Sequence, residues 1–308
     1  MQPISATARS LGMILSLVLV CSCSGRDQEP GGFAELEKEE LKWRQEREWS
    51  MTSPTSWFTI AGLFWLEEGD NTFGTGPERD IILPEGSAPP VAGTFVLREG
   101  AVRVIPAEGV EITMGGNAIG DTVLHSDDRD QASVIALNDL RMWVIKRGDR
   151  YAIRLRDFNA PRFKNFKGLK FFPVKEEYRI RGDYNRFPRP KMVMVPTVVG
   201  TEAAMVSPGY VIFRLGEGNI WLDAFEAGLD STKLFIIFKD GTSGTETYGA
   251  CRFLVADILD DGSVDLNFNR AHNPPCAYTP FATCPLPPRR NELSVRIEAG
   301  EMVYEESH

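Results

Sequence analysis

From Met51 onward the apolar residues of this chain recur at alternate positions, and that pattern limits the fold more than any other feature. "YAIRLRD" sets Tyr151, Ile153 and Leu155 on one side and Ala152, Arg154 and Arg156 on the other. "VDLNFN" alternates Val264, Leu266 and Phe268 with Asp265, Asn267 and Asn269. A period of two places successive side chains on opposite faces of an extended strand. "IAGLFWLE", "KMVMVPTVV", "GYVIFRL", "KLFIIF" and "SVRIEA" also read as strands. Turn signals stand between such runs at Gly69-Asp70-Asn71, Gly148-Asp149, Gly182-Asp183, Asp240-Gly241 and Asp261-Gly262. The prediction is an all-β fold: a sandwich or barrel-like body of many short antiparallel strands. Crossover helices of a parallel sheet have no room in such a sequence.

One helix precedes this body. "FAELEKEELKWRQEREW" lacks Gly and Pro and is rich in Glu, Lys and Arg, which predicts a helix over 33–50. Phe33, Leu36 and Trp43 fall in one arc at 100° per residue, so they form the stripe expected to dock, with the charged remainder facing solvent.

The first 24 residues, "MQPISATARSLGMILSLVLVCSCS", carry one Arg and an apolar run from Leu11 to Val20. That run has the length of a signal-peptide core and is short for a membrane span. The ending Val20-Cys21-Ser22-Cys23 resembles a bacterial lipobox. It implies a lipoprotein signal peptide over 1–22, lipid on Cys23, and a membrane partner reached through that anchor. Ser24 rather than Asp follows, so the expected address in the cell envelope of a Gram-negative cell is the outer membrane. Residues 23–32 then read as a flexible polar tether. Beyond the helix, 51–305 reads as one continuous β-rich domain of two halves meeting near 160–180, where "FKNFKGLKFFPV" forms an apolar, packed-down connector.

Hydrophobic content of 43% and charged content of 25% over 308 residues are enough for a sizeable core. The net charge of -9, with scattered Lys and Arg, argues against nucleic acid as a partner, because phosphate binding needs a basic stripe.

Candidate chemistry concentrates in "NFNRAHNPPCAYTPFATCPLPPRRN", residues 267–291, which holds one of the three histidines of the chain. Together with "DGTSGTETYGACRFL", "IEAGE", "WFTIAGLFWLEEGDNTFG" and "FKGLKFFPVKEEYRI", it resembles the DUF1684 family from Leu41 to Glu301. The resemblance implies a β-rich fold and no particular chemistry. It also implies Tyr at the position of His272, so no mechanism should depend on that imidazole.

Zinc is not expected, and no other cofactor is indicated. His272, Cys276 and Cys284 lack a visible fourth ligand, and no Cys-x-x-Cys pair exists. Cys276 and Cys284 are a possible disulfide, leaving Cys251 as a free thiol. Six prolines between Pro274 and Pro288 would hold the stretch extended as a cover over the sheet. The row Asp265, Asn267 and Asn269 leads into Asn273 and suggests a site for a small polar molecule, with Arg252 or Arg154 meeting an anionic group. Asp157, beside Arg154 in "IRLRD", belongs to the same candidate set. The leading expectation is a ligand-binding envelope lipoprotein with its pocket beside 265–291. The alternative is a hydrolase-type enzyme using Asp265, Arg252 and Cys276. Whether the protein is an enzyme stays open at this level.

Overall fold

A computed structural model describes residues 32–128 and 131–305. The expected signal peptide, Cys23 and all but the last residue of the expected tether lie outside the described residues.

The first half is built from β1 (Ile60–Trp65), β2 (Gly69–Gly74), β3 (Ile81–Ile82), β4 (Gly93–Arg98), β5 (Ala101–Pro106), β6 (Ile112–Met114), β7 (Asn117–Ile119), β8 (Thr122–Leu124), β9 (Val134–Leu137), β10 (Leu140–Arg147) and β11 (Arg150–Asp157). They form two sheets, β1-β11-β10-β9-β6-β7 and β3-β2-β4-β5-β8. Phe73, Phe95 and Val104 from one sheet meet Ile135, Met142, Ile153 and Leu155 from the other in a single apolar core. Alternation decides which residues enter it. On β11, Ile153 and Leu155 point into the core, so Arg154 and Arg156 must stand on the outer face.

The second half is a closed barrel of β12 (Arg179–Pro196), β13 (Glu202–Leu215), β14 (Gly218–Ala227), β15 (Asp230–Phe238), β16 (Arg252–Ile258) and β17 (Val264–Asn267). Pairing of β12 with β17 closes it. Its interior is filled by Val211, Phe213, Leu222, Leu234, Ile236, Leu254 and Leu266, so it is a packed core rather than an open lumen. The two halves are joined through the single-turn α2 (Pro161–Lys164) and the connector, whose Phe163, Phe166 and Leu169 pack with Phe58, Tyr278 and Tyr304.

The all-β prediction with one N-terminal helix holds, and the body contains both a sandwich and a barrel. Three local readings change. Gly182-Asp183 lies inside β12 rather than in a turn: a Cβ on Gly182 would stand 2.5 Å from Val211 Cγ1, so the glycine permits close strand packing. Gly69-Asp70-Asn71 opens β2. "SVRIEA" is no strand. It runs across one end of the barrel, held by side chains and by bonds such as Gly241 N–H to Val295 O at 2.8 Å.

The helix α1 spans Gly32–Met51, but it docks differently from the expected apolar stripe. Leu36 is buried and Phe33 is exposed, while the fully buried member of the docking face is Glu40.

Candidate functional site

The residue stretch that follows β17 is a cover with two seams. One seam faces α1 and the barrel end, and the other faces the outer side of the β1-β11-β10 sheet. Their polar groups are arranged differently.

At the barrel end, Arg252 is fully buried. It donates to Asp240 Oδ1 at 3.0 Å, to Ala299 O at 2.6 Å and to Ile297 O at 3.0 Å, and its guanidinium lies 4.8 Å from the centre of the Phe238 ring. Burial lowers its pKa, and Asp240 opposes the shift. Asp240 also accepts from Ile297 N–H at 2.7 Å. The pair therefore ties the C-terminal run to the barrel where no ladder does, and satisfies backbone groups that the run leaves unpaired.

Asp265 lies outside the barrel and accepts from Arg179 through both oxygens, at 3.3 and 2.8 Å. Asn267 donates to Glu40 at 2.8 Å. Asn269 donates to Lys175 O at 2.9 Å and accepts from Lys175 N–H at 3.0 Å. Asn273 donates to Glu301 Oε1 at 3.0 Å and to Met302 O at 2.7 Å. These four residues fasten the connector, helix and cover to the barrel; they do not line one concave site. Arg252, Asp265 and Cys276 are likewise apart: the first points into the barrel, the second lies outside it against Arg179, and the third is in the cover.

Four polar groups central to this seam escape the strand pattern: Glu40, Arg47, Tyr278 and Glu301. Glu301 is fully buried and accepts from Tyr278 Oη, from Asn273 N–H at 3.3 Å and from Arg47 Nε at 3.4 Å. Burial raises its pKa, and the Arg47 charge works against that rise. Glu40 accepts from Arg270 Nε at 2.9 Å as well as from Asn267. Helical spacing contained the signal, since Leu36, Glu40, Trp43 and Arg47 follow one another at intervals of four, three and four. His272 sits edge-on to Phe253 and near Trp43, and burial pushes its pKa down to about 3, with Arg47 adding to the effect. Among the described residues no group of three His, Cys, Asp or Glu is placed to hold a metal ion.

The second seam is less complete. Arg154 is 5% exposed, and its one hydrogen-bond partner among the described residues is Thr283 Oγ1 at 3.3 Å. Its guanidinium lies 5.3 Å from the Trp57 ring centre, its Nε, like that of Arg252, is buried without a partner, and the carboxylate that acts on it, Asp127, is paired with Arg147. Burial first, and then Arg147, push its pKa down to about 10. Arg147 shares Thr283 at 3.1 Å but is neutralised by Asp127, at 2.9 and 2.8 Å.

At the end of β11, Asp157 is 7% exposed and accepts from Asn159 N–H at 2.7 Å through one oxygen. It opens into a cavity of about 470 Å³, bounded by Ile60, Ala160, Arg162, Asn165 and Phe281. Phe281 belongs to the cover, and Thr279 fastens the cover beneath it by donating to Ile60 O at 3.1 Å.

Three thiols gather beside this seam. Cys251, Cys276 and Cys284 are all free. Cys276 N–H donates to Cys284 Sγ at 3.2 Å, Tyr248 Oη donates to Cys276 O at 3.1 Å, and Cys251 Sγ lies 3.7 Å from Pro285 O. The thiol hydrogen bond with Cys284 holds the Cys276 pKa below the usual thiol value against burial, with Tyr248 helping. The same contact and burial raise the pKa of Cys284.

Among the curated proteins nothing matches the chain. The chain is similar to an uncharacterized protein of Haloarcula marismortui, solved in solution by NMR, at 29% identity, with 46% of this chain and 80% of that chain covered and a TM-score of 0.39. The likeness expected from Leu41 onward is carried by the second half: residues 164–302, which span the connector, the barrel and most of its cover, match the family described as "Protein of unknown function (DUF1684)".

Proposed function

We propose that this protein is an envelope lipoprotein, anchored through lipid on Cys23, that binds a small polar molecule in the cavity where Asp157 faces Phe281. The observation that carries the reading is Asp157 itself. It is a nearly buried carboxylate with one oxygen committed to Asn159, opening into a cavity of about 470 Å³. Small-molecule sites have volumes of this order, with apolar walls and a few converging polar groups. Ile60, Ala61, Pro84 and Ala160 supply the walls, and Asp157, Asn165 and Arg162 supply the polar groups. A buried carboxylate calls for a donor, so the ligand presents an ammonium or hydroxyl group to Asp157. Amino acids and hydroxy acids carry such a donor on a small polar frame, which makes them the first class to try; Arg162 at the same rim is engaged by donating to Thr279 Oγ1 at 3.4 Å.

A thermal-shift screen of such compounds tests the ligand. A compound present at 100 times its Kd stabilises the folded chain by about 2.7 kcal/mol. Asp157→Asn should keep the unliganded melting temperature and lose most of that shift. Undiminished binding by Asp157→Asn would place the ligand elsewhere. The anchor is tested apart from it: Cys23→Ala should abolish lipid labelling and release the protein from the membrane fraction.

A further inference from the structure

We propose that Cys276 and Cys284 are a reversible dithiol–disulfide pair in which Cys276 is the attacking thiol and Cys284 the resolving one. The inference is independent of the ligand reading.

Three cysteines lie near one another, and the geometry chooses between the pairs. Cys251 is fully buried, with its sulfur against Pro285 O, whereas Cys276 is half-buried in the middle of a 3-10 turn. The sulfur of Cys284 already rests on the backbone of Cys276, 3.2 Å from its nitrogen. The chain between them is folded back by fixed contacts. Thr279 is bonded to Ile60 O, Phe281 N–H donates to Thr279 Oγ1 at 3.3 Å, and Thr283 is held by Arg147 and Arg154. A bridge therefore closes a loop that the reduced protein has already formed.

The roles differ because the surroundings differ. The thiolate is the nucleophile in exchange, and access to a small oxidant favours the half-buried sulfur. The contact between the two residues, in which Cys284 Sγ accepts from Cys276 N–H, also lowers the pKa of Cys276 and raises that of Cys284. With a low-molecular-weight disulfide RSSR as oxidant, Cys276 loses its proton and its sulfur attacks one sulfur of RSSR. A mixed disulfide forms and RS⁻ leaves. Cys284, deprotonated in turn, attacks the Cys276 sulfur, closes the protein disulfide and expels the second RS⁻. The two protons leave with the two RS⁻ groups as two RSH. The protein dithiol is oxidised by two electrons and RSSR is reduced.

The test uses the purified full chain and oxidised glutathione. After native incubation, thiol blocking and peptide mapping, the linked peptides should contain Cys276 and Cys284, with Cys251 unlinked, and dithiothreitol should reverse the link. Cys284→Ser should accumulate one glutathione on Cys276. Cys276→Ser should leave Cys284 largely unmodified under the same conditions. Far-UV circular dichroism establishes that each variant is folded, and the wild-type map decides the pairing if a variant is not. The proposal fails if both thiols of the wild type stay free, or if the link contains Cys251. Equal adducts on the two single variants would overturn the assignment of roles.

Discussion

The two seams of the cover bury similar kinds of side chain to different ends. Against α1 and the barrel end, Glu301, Glu40 and Asp240 each meet an arginine and at least one further donor. Against the sandwich, Arg154 has one hydroxyl and a Trp ring, and Asp157 has one backbone N–H beside an open cavity. Burying a charge is costly unless it is paired, and removing one member of a buried pair leaves the cost of the other behind. The first seam therefore behaves as scaffold. The second pairs its charges less completely, which is what the binding reading proposed above draws on, although Arg252 Nε and Asn273 Oδ1 in the first seam are also buried without a partner.

The largest expected effect comes from breaking the first seam. Glu301→Ala leaves the partly buried Arg47 without its carboxylate and removes the acceptor used by Tyr278 and Asn273. Stability should fall by about 3–5 kcal/mol, read from urea unfolding. A loss below about 1 kcal/mol would mean that the seam is solvated and would erase the contrast.

The same seam should make the protein sensitive to acid. His272, with its pKa pushed down to about 3 by burial and by Arg47, stays neutral when folded. The unfolded chain protonates it near pH 6.5. Between these values the unfolded state binds the extra proton, so stability falls as pH drops through the window and is untouched by this group above it. The slope reaches about 1.4 kcal/mol per pH unit for one proton. His272→Tyr should flatten the acid limb of the melting profile; an unchanged limb would assign it to other groups.

The smallest effect belongs to the second seam. Arg154→Met keeps the apolar stem against Trp57 and orphans no described carboxylate, so stability should change by less than about 1 kcal/mol in either direction. A loss comparable to that of Glu301→Ala would show that Arg154 is paired as strongly as the carboxylates at the barrel end.

The sequence was informative where burial follows a simple period. Ile153 and Leu155 alternate with Arg154 and Arg156, and that alternation correctly assigns core and outer face of β11. It also led to the polar row Asp265, Asn267 and Asn269. Alternation marks which face a residue occupies, but not what covers that face. Arg179, Glu40 and Lys175 cover these three, and they are 86, 227 and 94 residues away in the chain. The apolar arc of α1 is right for Leu36, which is buried, and for Trp43, which meets Phe171 and His272; it includes the exposed Phe33 and misses Glu40, which the helix buries between Leu36 and Trp43. "SVRIEA" alternates like a strand, yet its hydrogen bonds go to Asp240, Gly241 and Arg252 rather than to a ladder. Asp157 is a candidate from its place beside Arg154 in "IRLRD", whereas Phe281 lies in the Pro-rich stretch without any local pattern that singles it out. Their meeting across one cavity is a tertiary fact that no local spacing encodes.

The most direct test of the contrast between the seams is a map of amide chemical-shift changes as a stabilising amino acid or hydroxy acid is titrated into the protein. The changes should gather at Ile60 and Ala61, at 157–165 and around Phe281, and should vanish in Asp157→Asn. A map centred instead on Asn267, Asn269, Asn273 and Glu301 would place the site in the seam assigned here to scaffold and would contradict the account.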